Sequence, residues 1–566
     1  MCASSFSSGQ RPRRERAFEL RLTDTVQLTG AVETHRLDAL RDDLASARFT
    51  VDAVDDLWGT EAAAALSRGH RLPAERALTT PQRFGSVTGV PDPRSVAARA
   101  RTATLAAAFV LGLPVSRDAL DEALPTVRSE GAATLGLVEF DGGRARSLVD
   151  LRPYAFTDAQ GQGAWWIASD LGELATGGAL GEDHVLGVGG ASMTLSGLMI
   201  DDPVESALDL GTGCGIQALH ASRHAGRVIA TDISERAIGF ARVNAELNGV
   251  TNIEFRVGDL FEPVAGERFD RIVSNPPFVI TPRAADVPAY EYRDAGMVGD
   301  ALVRAVIEGI GQHLTAGGVA QLLGNWEYRA GVGSLDRVSG WLDALYAAGH
   351  GLDSWIVERE VQDPEEYAET WIRDGGTRPD MPGFQRLYRA WLDDFELRGV
   401  TAVGFGYVTL RRPTSGVPTL RRLEHVGSGG ANASGLGSHI AATIDAHDWQ
   451  AARDDVQLAA ARLRVADDVT EERHYWPGAD DPTVIALHAG GGFGRTVSAG
   501  TALAAFVGAC DGELSVGAIV AAIAQLLNAD EAALSAELLP AVRELVTIGM
   551  LAPADSAAAS ASGSAA

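Results

Sequence analysis

The sequence predicts an α/β protein whose middle region, nearly half of its length, is a largely parallel sheet covered by helices on both faces. Three observations carry this. Between residues 156 and 415, short apolar runs alternate with helical stretches, the order expected of strands joined by crossover helices. The first of these runs leads directly into a glycine-rich turn and then a helix. The flanking regions have a different grain: residues 17–155 read as helical and winged-helix-like, and residues 439–553 as a smaller α+β, winged-helix-like domain, set off by a Gly/Ser/Asn-rich linker at 416–438.

Residues 1–16 are polar and arginine-rich and have little to bury, so a disordered tail is expected there. Residues 105–111 form an apolar helix stopped by Gly112 and Pro114, and Ser116 is placed to cap a helix running through Leu124. A further helix leads into Leu135. Extended runs at 137–140 and 145–151 then flank Asp141-Gly142, a hairpin signal. Helix, helix, helix, hairpin is winged-helix order. It would suit a nucleic-acid reader, or a substrate-selecting or dimerising lobe; the absence of basic residues clustered in the wing favours the lobe. Seven strand candidates follow, at 206–210, 227–231, 253–258, 269–274, 319–323, 354–357 and 403–410, with a charged helical insertion at 363–397. Beyond the linker, a strand is expected at 483–488 and helices between 501 and 549. Cys510-Asp511-Gly512 breaks the first helix, Ser515 caps the next, and Met550-Leu551 forms a closing strand. Residues 554–566 are mostly Ala, Ser and Gly and read as a second disordered tail.

Charge narrows the function classes. The net charge is −27 and every basic residue is arginine. No lysine is present to form a Schiff base or a Walker-type phosphate contact, and broad non-specific nucleic-acid binding lacks its basic field. No apolar run reaches the length of a membrane span. The arginine-rich start lacks the apolar core of a secretory signal, so a cytoplasmic protein is expected. The three cysteines and the histidines show no metal-ligand spacing. Residues 489–495 resemble a glycine-rich phosphate loop, but no Lys-Ser/Thr follows, so a hairpin turn is expected instead.

The chemistry is carried by four pieces in the middle region. The first is Asp209-Leu210-Gly211-Thr212-Gly213-Cys214-Gly215. The glycines let a backbone pass close beneath a ligand, and the helix that follows offers free N–H groups. A carboxylate at Asp209 would repel a pyrophosphate but suit a ligand carrying an ammonium group. The second is Asp232, followed by Ile233, where the next strand ends; an acid there can accept both hydroxyls of a ribose. The third is Asp259-Leu260, where the acid can accept from an adenine amino group and the Leu260 N–H can reach a ring nitrogen. The fourth is Asn275-Pro276-Pro277-Phe278. An amide or nucleobase NH2 nitrogen is a poor nucleophile because its lone pair is delocalised. The Asn275 side-chain oxygen and the Pro276 carbonyl can each accept one of its N–H groups, orienting the nitrogen and stabilising the positive charge that develops on it. The prolines stiffen the segment, and Phe278 can stack on the planar group.

These four pieces, in this order, resemble the class I methyltransferases of the Asn-Pro-Pro-aromatic group. The runs 258–263 and 275–282 are most similar to HemK-type release-factor glutamine methyltransferases; Phe278, in place of their tyrosine, is common in ribosomal RNA guanine-N2 methyltransferases. The resemblance implies a Rossmann-like sheet of seven strands with the last reversed and S-adenosyl-L-methionine as cofactor. It implies that Asp209, Gly211, Thr212, Gly213, Gly215, Asp232, Ile233, Asp259, Leu260 and Asn275 border that cofactor, and that Asn275, Pro276, Pro277 and Phe278 form the catalytic segment. Residues 188–190 and Thr194 would close over the cofactor, and Arg283, Tyr290, Tyr292, Arg293 and Asp294 would line the substrate mouth. The expected acceptor is a protein glutamine, in a translation factor-like partner. The alternatives are the exocyclic amine of a base in RNA or DNA, and a non-catalytic regulator that senses the cofactor.

Overall fold

A computed structural model of the chain describes residues 30–79, 93–177, 180–283, 287, 296–333, 335–427, 432 and 435–556. The expected N-terminal tail and Tyr290, Tyr292, Arg293 and Asp294 lie outside the described residues. So does the C-terminal tail from residue 557, while Ala554–Ser556 forms a short 3-10 turn. The chain divides into two compact units: residues 1–196, 203–354 and 360–417, and residues 197–202, 355–359 and 418–566.

The main sheet contains seven strands, β1 (Val204–Leu210), β2 (Ala225–Asp232), β3 (Ile253–Val257), β4 (Phe269–Ser274), β5 (Leu314–Arg329), β6 (Asp353–Gln362) and β7 (Val400–Arg411). Their order is β6-β7-β5-β4-β1-β2-β3. Strands β5, β4, β1, β2 and β3 run parallel, and β7 is antiparallel to β5. All seven expected strands are present, and β5 is much longer than the apolar run that announced it. An eighth strand, Arg421–His425, joins the sheet alongside β6, one more than expected; it and residues 355–359 of β6 belong to the second unit. The segment read as a linker therefore contains a strand.

Central strands of a parallel sheet are covered on both faces and need continuous apolar runs. Strand β1 meets this demand: its last four residues are all buried. It is flanked by β2 on one side and β4 on the other, so successive crossovers leave it in opposite directions. Ligands bind in the crevice that forms at the C-terminal ends of strands at such a switch point.

Ahead of the sheet, helix Pro93–Leu105 runs into a π-helical turn, Ala106–Val110. Strand Val115–Ser116, helices Arg117–Ala123 and Arg128–Thr134, and the hairpin Val138–Asp141/Arg144–Ser147 complete the winged-helix order, with the last strand in the middle of the three-stranded sheet. Ser116 caps its helix, accepting from the Ala119 N–H at 3.1 Å. A long hairpin, Val149–Asp158 with Gly161–Asp170, follows; the boundary expected between 155 and 156 falls inside its first strand. The helix Glu235–Leu247 holds this hairpin as a neighbouring strand would. The Asn244 side chain accepts from Ala168 N–H (2.7 Å) and donates to the carbonyls of Ala168 (2.9 Å) and Cys214 (2.8 Å). Asn248 accepts from Trp166 N–H at 2.9 Å and donates to its carbonyl at 2.8 Å. One apolar core runs from Leu37 and Phe109 through Trp165 to Ile216 and Phe240, so packing does not separate the N-terminal region from the glycine loop.

The insertion forms helices Pro364–Asp374 and Phe384–Arg398. Glu327 on β5 has no exposed side-chain surface; it pairs with Arg329 at 2.7 Å and with Arg398 of the second insertion helix. Removing one member of a buried ion pair strands the other charges, at a cost of about 3–5 kcal/mol. Glu327→Ala is therefore expected to lower unfolding stability by about that amount in urea titration; a loss below about 1 kcal/mol would refute the role given to this pair.

In the second unit, strand Arg462–Val465 lies between Asp511–Ser515 and Leu551–Pro553. With helices Thr501–Gly508, Val516–Leu527 and Glu531–Thr547 this is a winged-helix arrangement whose central strand comes from earlier in the chain. Ser515 caps the middle helix, accepting from Ala518 N–H at 3.3 Å. Residues 490–495 connect the antiparallel strands Val484–Ala489 and Thr496–Ser498, as the hairpin reading required. Their Gly491 N–H is taken by the Asp468 carboxylate at 2.7 Å, a negative group where a phosphate would have to lie. Among the described residues no helix is long and apolar enough to cross a membrane, and no group of three His, Cys, Asp or Glu residues is arranged to hold a metal.

Candidate active site

Strand register assembles the site. Leu210 lies beside Thr231 on one side and Ser274 on the other, and Asp232 lies beside Val257. The glycine loop, the Asp232 turn, the Asp259 turn and the Asn-Pro-Pro-Phe segment therefore leave four adjacent strand ends along one edge. The ends are also tied together. The Ser274 hydroxyl donates to the Leu210 carbonyl at 2.7 Å, the N–H groups of Gly211 and Thr212 donate to the Thr231 carbonyl at 2.9 Å, and Gly258 N–H donates to the Asp232 carbonyl at 3.0 Å.

Gly211, Gly213 and Gly215 have φ of 75°, 55° and 88°, a region that favours glycine. A Cβ on Gly211 or Gly213 would meet nothing within 4 Å, whereas one on Gly215 would lie 2.9 Å from the Ala241 Cβ. The first two glycines leave open space above the loop, and the third lets the following helix pack closely on helix Glu235–Leu247.

Asp209 is fully buried beneath the loop. Its Oδ2 accepts from the Thr212 hydroxyl at 2.5 Å and the Ala218 N–H at 2.9 Å, while its buried Oδ1 has no hydrogen-bond partner among the described residues. The expectation that this acid faces an ammonium group thus applies to one oxygen only, since the other is engaged in shaping the loop. Burial pushes the carboxyl up to about 7. A carboxyl whose folded pKa is raised binds a proton in the native state that the unfolded chain has released, so its contribution weakens stability as pH rises between about 4 and 7. Melting curves of ligand-free protein should therefore show Asp209→Asn gaining on the wild type as pH rises from about 5 to about 8; a constant difference would contradict a raised Asp209.

Asp232 holds the loop from the neighbouring strand. Its Oδ2 accepts from Gly213 N–H and its Oδ1 from Ser234 N–H, each at 2.9 Å, and burial raises its pKa. Each carboxylate oxygen keeps a second lone pair for a ligand hydroxyl. Beside it Ile233 is 63% exposed, an apolar surface left at the rim. Asp259 is exposed, and Leu260 has φ 43°, a left-handed conformation uncommon for a non-glycine residue and a recurrent mark of ligand-binding turns.

Pro276 is buried, and the Asn275 Oδ1 is buried with no hydrogen-bond partner among the described residues. An acceptor left in that state costs about 1–3 kcal/mol unless something donates to it. Phe278 meets Trp371 edge to face, with ring centroids 6.2 Å apart. The Arg283 guanidinium donates to the Met297 carbonyl at 2.6 Å. The helix Gly190–Leu198 includes Thr194, and the Gln217 amide donates to its Ser192 carbonyl at 2.8 Å. Sequence reading missed three residues here: Asn244, and the pair Tyr367 and Asn325, which hydrogen-bond behind the Asn-Pro-Pro-Phe segment. The spacing Tyr367, Ala368, Trp371, Ile372 is an apolar helical stripe that could have flagged the insertion as part of the core.

Known proteins and families match three stretches of the chain. Residues 189–290 match the methyltransferase small domain, while residues 46–148 and 441–553 match families described as domains of unknown function (DUF7059 and DUF7782). The release factor glutamine methyltransferase of Xylella fastidiosa is 36% identical over 140 residues, covering 23% of this chain and 51% of that protein. The ribosomal protein uL3 glutamine methyltransferase of Bradyrhizobium diazoefficiens is 35% identical over 153 residues, covering 25% and 46%. The chain thus spans about half the length of the curated relatives it matches. Residues 189–290 thus match the methyltransferase small domain, and this stretch is similar to glutamine methyltransferases.

Proposed function

We propose that the chain is an S-adenosyl-L-methionine-dependent N-methyltransferase acting on a protein glutamine side chain. The carrying observation is the buried, unsatisfied Asn275 Oδ1 at the end of β4, beside the glycine loop at the end of β1. The residues present fit the cofactor. Gly211 and Gly213 leave room above the loop. Asp209 Oδ1 is an orphan acid oxygen for the ammonium end, Asp232 can accept ribose hydroxyls, and Ile233, Asp259 and Leu260 form an apolar and hydrogen-bonding rim for adenine. When bound, the cofactor supplies an electrophilic methyl group on a sulfonium. The Asn275 Oδ1 and the Pro276 carbonyl accept the two N–H groups of the acceptor amide, hold its nitrogen toward the cofactor side, and stabilise the charge it gains. Phe278, buttressed by Trp371, packs on the amide plane.

The choice of protein over nucleic acid is supported by the winged-helix modules. Helix Arg128–Thr134 has one cation, Arg128, paired with Asp121 at 2.6 Å. Helix Glu531–Thr547 has one, Arg543, bonded to the Gln450 and Arg453 carbonyls and to Asp455. Reading helices need cations free for phosphates. The names of the relatives, which specify glutamine in a release factor and in a ribosomal protein, point the same way. The test supplies tritiated S-adenosylmethionine to a lysate with the purified chain. Label that protease removes and RNase or DNase leaves supports the reading. Nuclease-sensitive label would move the acceptor to a base, and cofactor binding without transfer would leave a sensing regulator.

A further inference from the structure

The insertion between β6 and β7 places a buried tyrosine against the catalytic segment, and we infer that this residue, Tyr367, is a positioning residue that sets the height of the Asn275 side chain. The inference rests on the glutamine-methyltransferase reading and extends it to a segment outside the methyltransferase small domain match.

Tyr367, on helix Pro364–Asp374, has no exposed surface. Its hydroxyl oxygen accepts from the Ile280 N–H and from the Asn325 side-chain amide, each at 2.9 Å. A phenolic oxygen has two lone pairs, so both are used. The two donors come from different elements. Ile280 is five residues beyond Asn275 in a segment stiffened by Pro276 and Pro277. Asn325 lies on β5, which runs parallel to β4, pairs Leu322 with Ser274, and continues past the end of β4. The hydroxyl therefore joins the far end of the catalytic segment to the rigid strand beside it. The surroundings prevent slack: the Tyr367 ring stacks on Phe405 at 5.5 Å and packs against Trp391 and Phe395, and Val279 and Ile280 are buried in the same cluster. A segment with two prolines and a pinned end transmits displacement at Ile280 back to Asn275, and orientation of a reacting amide is sensitive to shifts on the order of 1 Å.

Tyr367→Phe removes one oxygen and keeps the ring. Amide exchange at Ile280 should rise at least tenfold, while exchange across residues 211–218 stays within twofold. Methyl transfer to lysate protein should fall about tenfold in maximal rate, with the cofactor dissociation constant, measured by calorimetry, within twofold of wild type. Asn325→Leu, which removes only one of the two donors, should give a smaller change of the same kind. An Ile280 exchange rate within twofold of wild type in Tyr367→Phe would overturn the inference. So would faster exchange with an unchanged transfer rate, because that is the signature of packing alone. Asn275→Ala run alongside separates the two readings: if it retains full transfer, the catalytic reading fails, whereas its inactivity beside a fully active Tyr367→Phe sinks only the positioning role.

Discussion

Asn275→Ala is expected to reduce methyl transfer by about 10²–10³-fold while leaving cofactor affinity within about threefold. The size follows from what is removed: a single preorganised acceptor aimed at developing charge in a water-poor site is worth about 2.7–4 kcal/mol when judged from oxyanion-hole deletions. Here the sign of the charge is reversed, because the acceptor amide becomes cationic as its nitrogen attacks. The structure makes the deletion clean in two ways. Among the described residues the Asn275 Oδ1 bonds to nothing, so its loss frees no partner there. The neighbouring strand ends are held by Ser274 and Thr231 rather than by Asn275, so the backbone should keep its path. Asn275→Asp supplies the control: it retains an oxygen acceptor but brings a charge into the buried position, and should fall between wild type and alanine. Rates come from initial incorporation of tritium, and affinities from calorimetry. An alanine variant with more than a tenth of wild-type activity would show that Asn275 does not bind the reacting nitrogen.

Much of the site was legible because its logic is local. A buried parallel strand must be an apolar run, and the residue after it must lie at the sheet's ligand-binding edge. Asp232, Asp259 and Asn275 could therefore be placed at one edge by counting strands. Asp209 shows where that reasoning stops. Its position under the loop follows from the motif, but the division of labour between its two oxygens depends on where Thr212 and Ala218 fall after the turn. The hairpin from 149 to 170 was missed because its strands are secured from a distance, by Asn244 and Asn248, 76 and 82 residues from the groups they bond. For the same reason an apparent domain boundary lies inside one of its strands and across a continuous core. The insertion read as charged because its exposed residues outnumber its buried ones; the function of Tyr367 depends on Ile280, 87 residues away. The second winged-helix module had legible helices and a legible closing strand, but its central strand comes from before the helices, a permutation that no local pattern announces.

Asp232→Ala should weaken S-adenosylmethionine binding by about 10²–10⁴-fold, and the physical case goes beyond lost ribose contacts. Hydrogen bonds to a charged partner are worth about 1.5–3 kcal/mol each, so two hydroxyls released from one carboxylate account for the expected range. The same carboxylate accepts from Gly213 N–H at 2.9 Å and Ser234 N–H at 2.9 Å. The first donor belongs to the glycine loop and the second to the cap of helix Glu235–Leu247, where the Ser234 hydroxyl accepts from Ala237 N–H at 3.4 Å. Removing the acid leaves both N–H groups without their acceptor and frees the loop at its middle glycine, whose φ of 55° no longer has an external tie. Replacing the acid with its amide would not be a mild change either. A side-chain amide presents one oxygen and one NH2 to two backbone donors, so one N–H must face another, and Asp232→Asn should lose nearly as much affinity as Asp232→Ala. The contrast with Asp259 sharpens the test. Asp259 is exposed, and its backbone carbonyl accepts from Glu262 N–H at 2.9 Å, a bond that truncating the side chain leaves in place. Asp259→Ala should therefore cost less than about tenfold, since its removal disturbs no loop and an exposed hydrogen bond is worth about 1 kcal/mol. Calorimetry on the three variants ranks the acids directly, and an Asp259 variant weaker than the Asp232 variants would reverse the assignment of which acid organises the cofactor crevice.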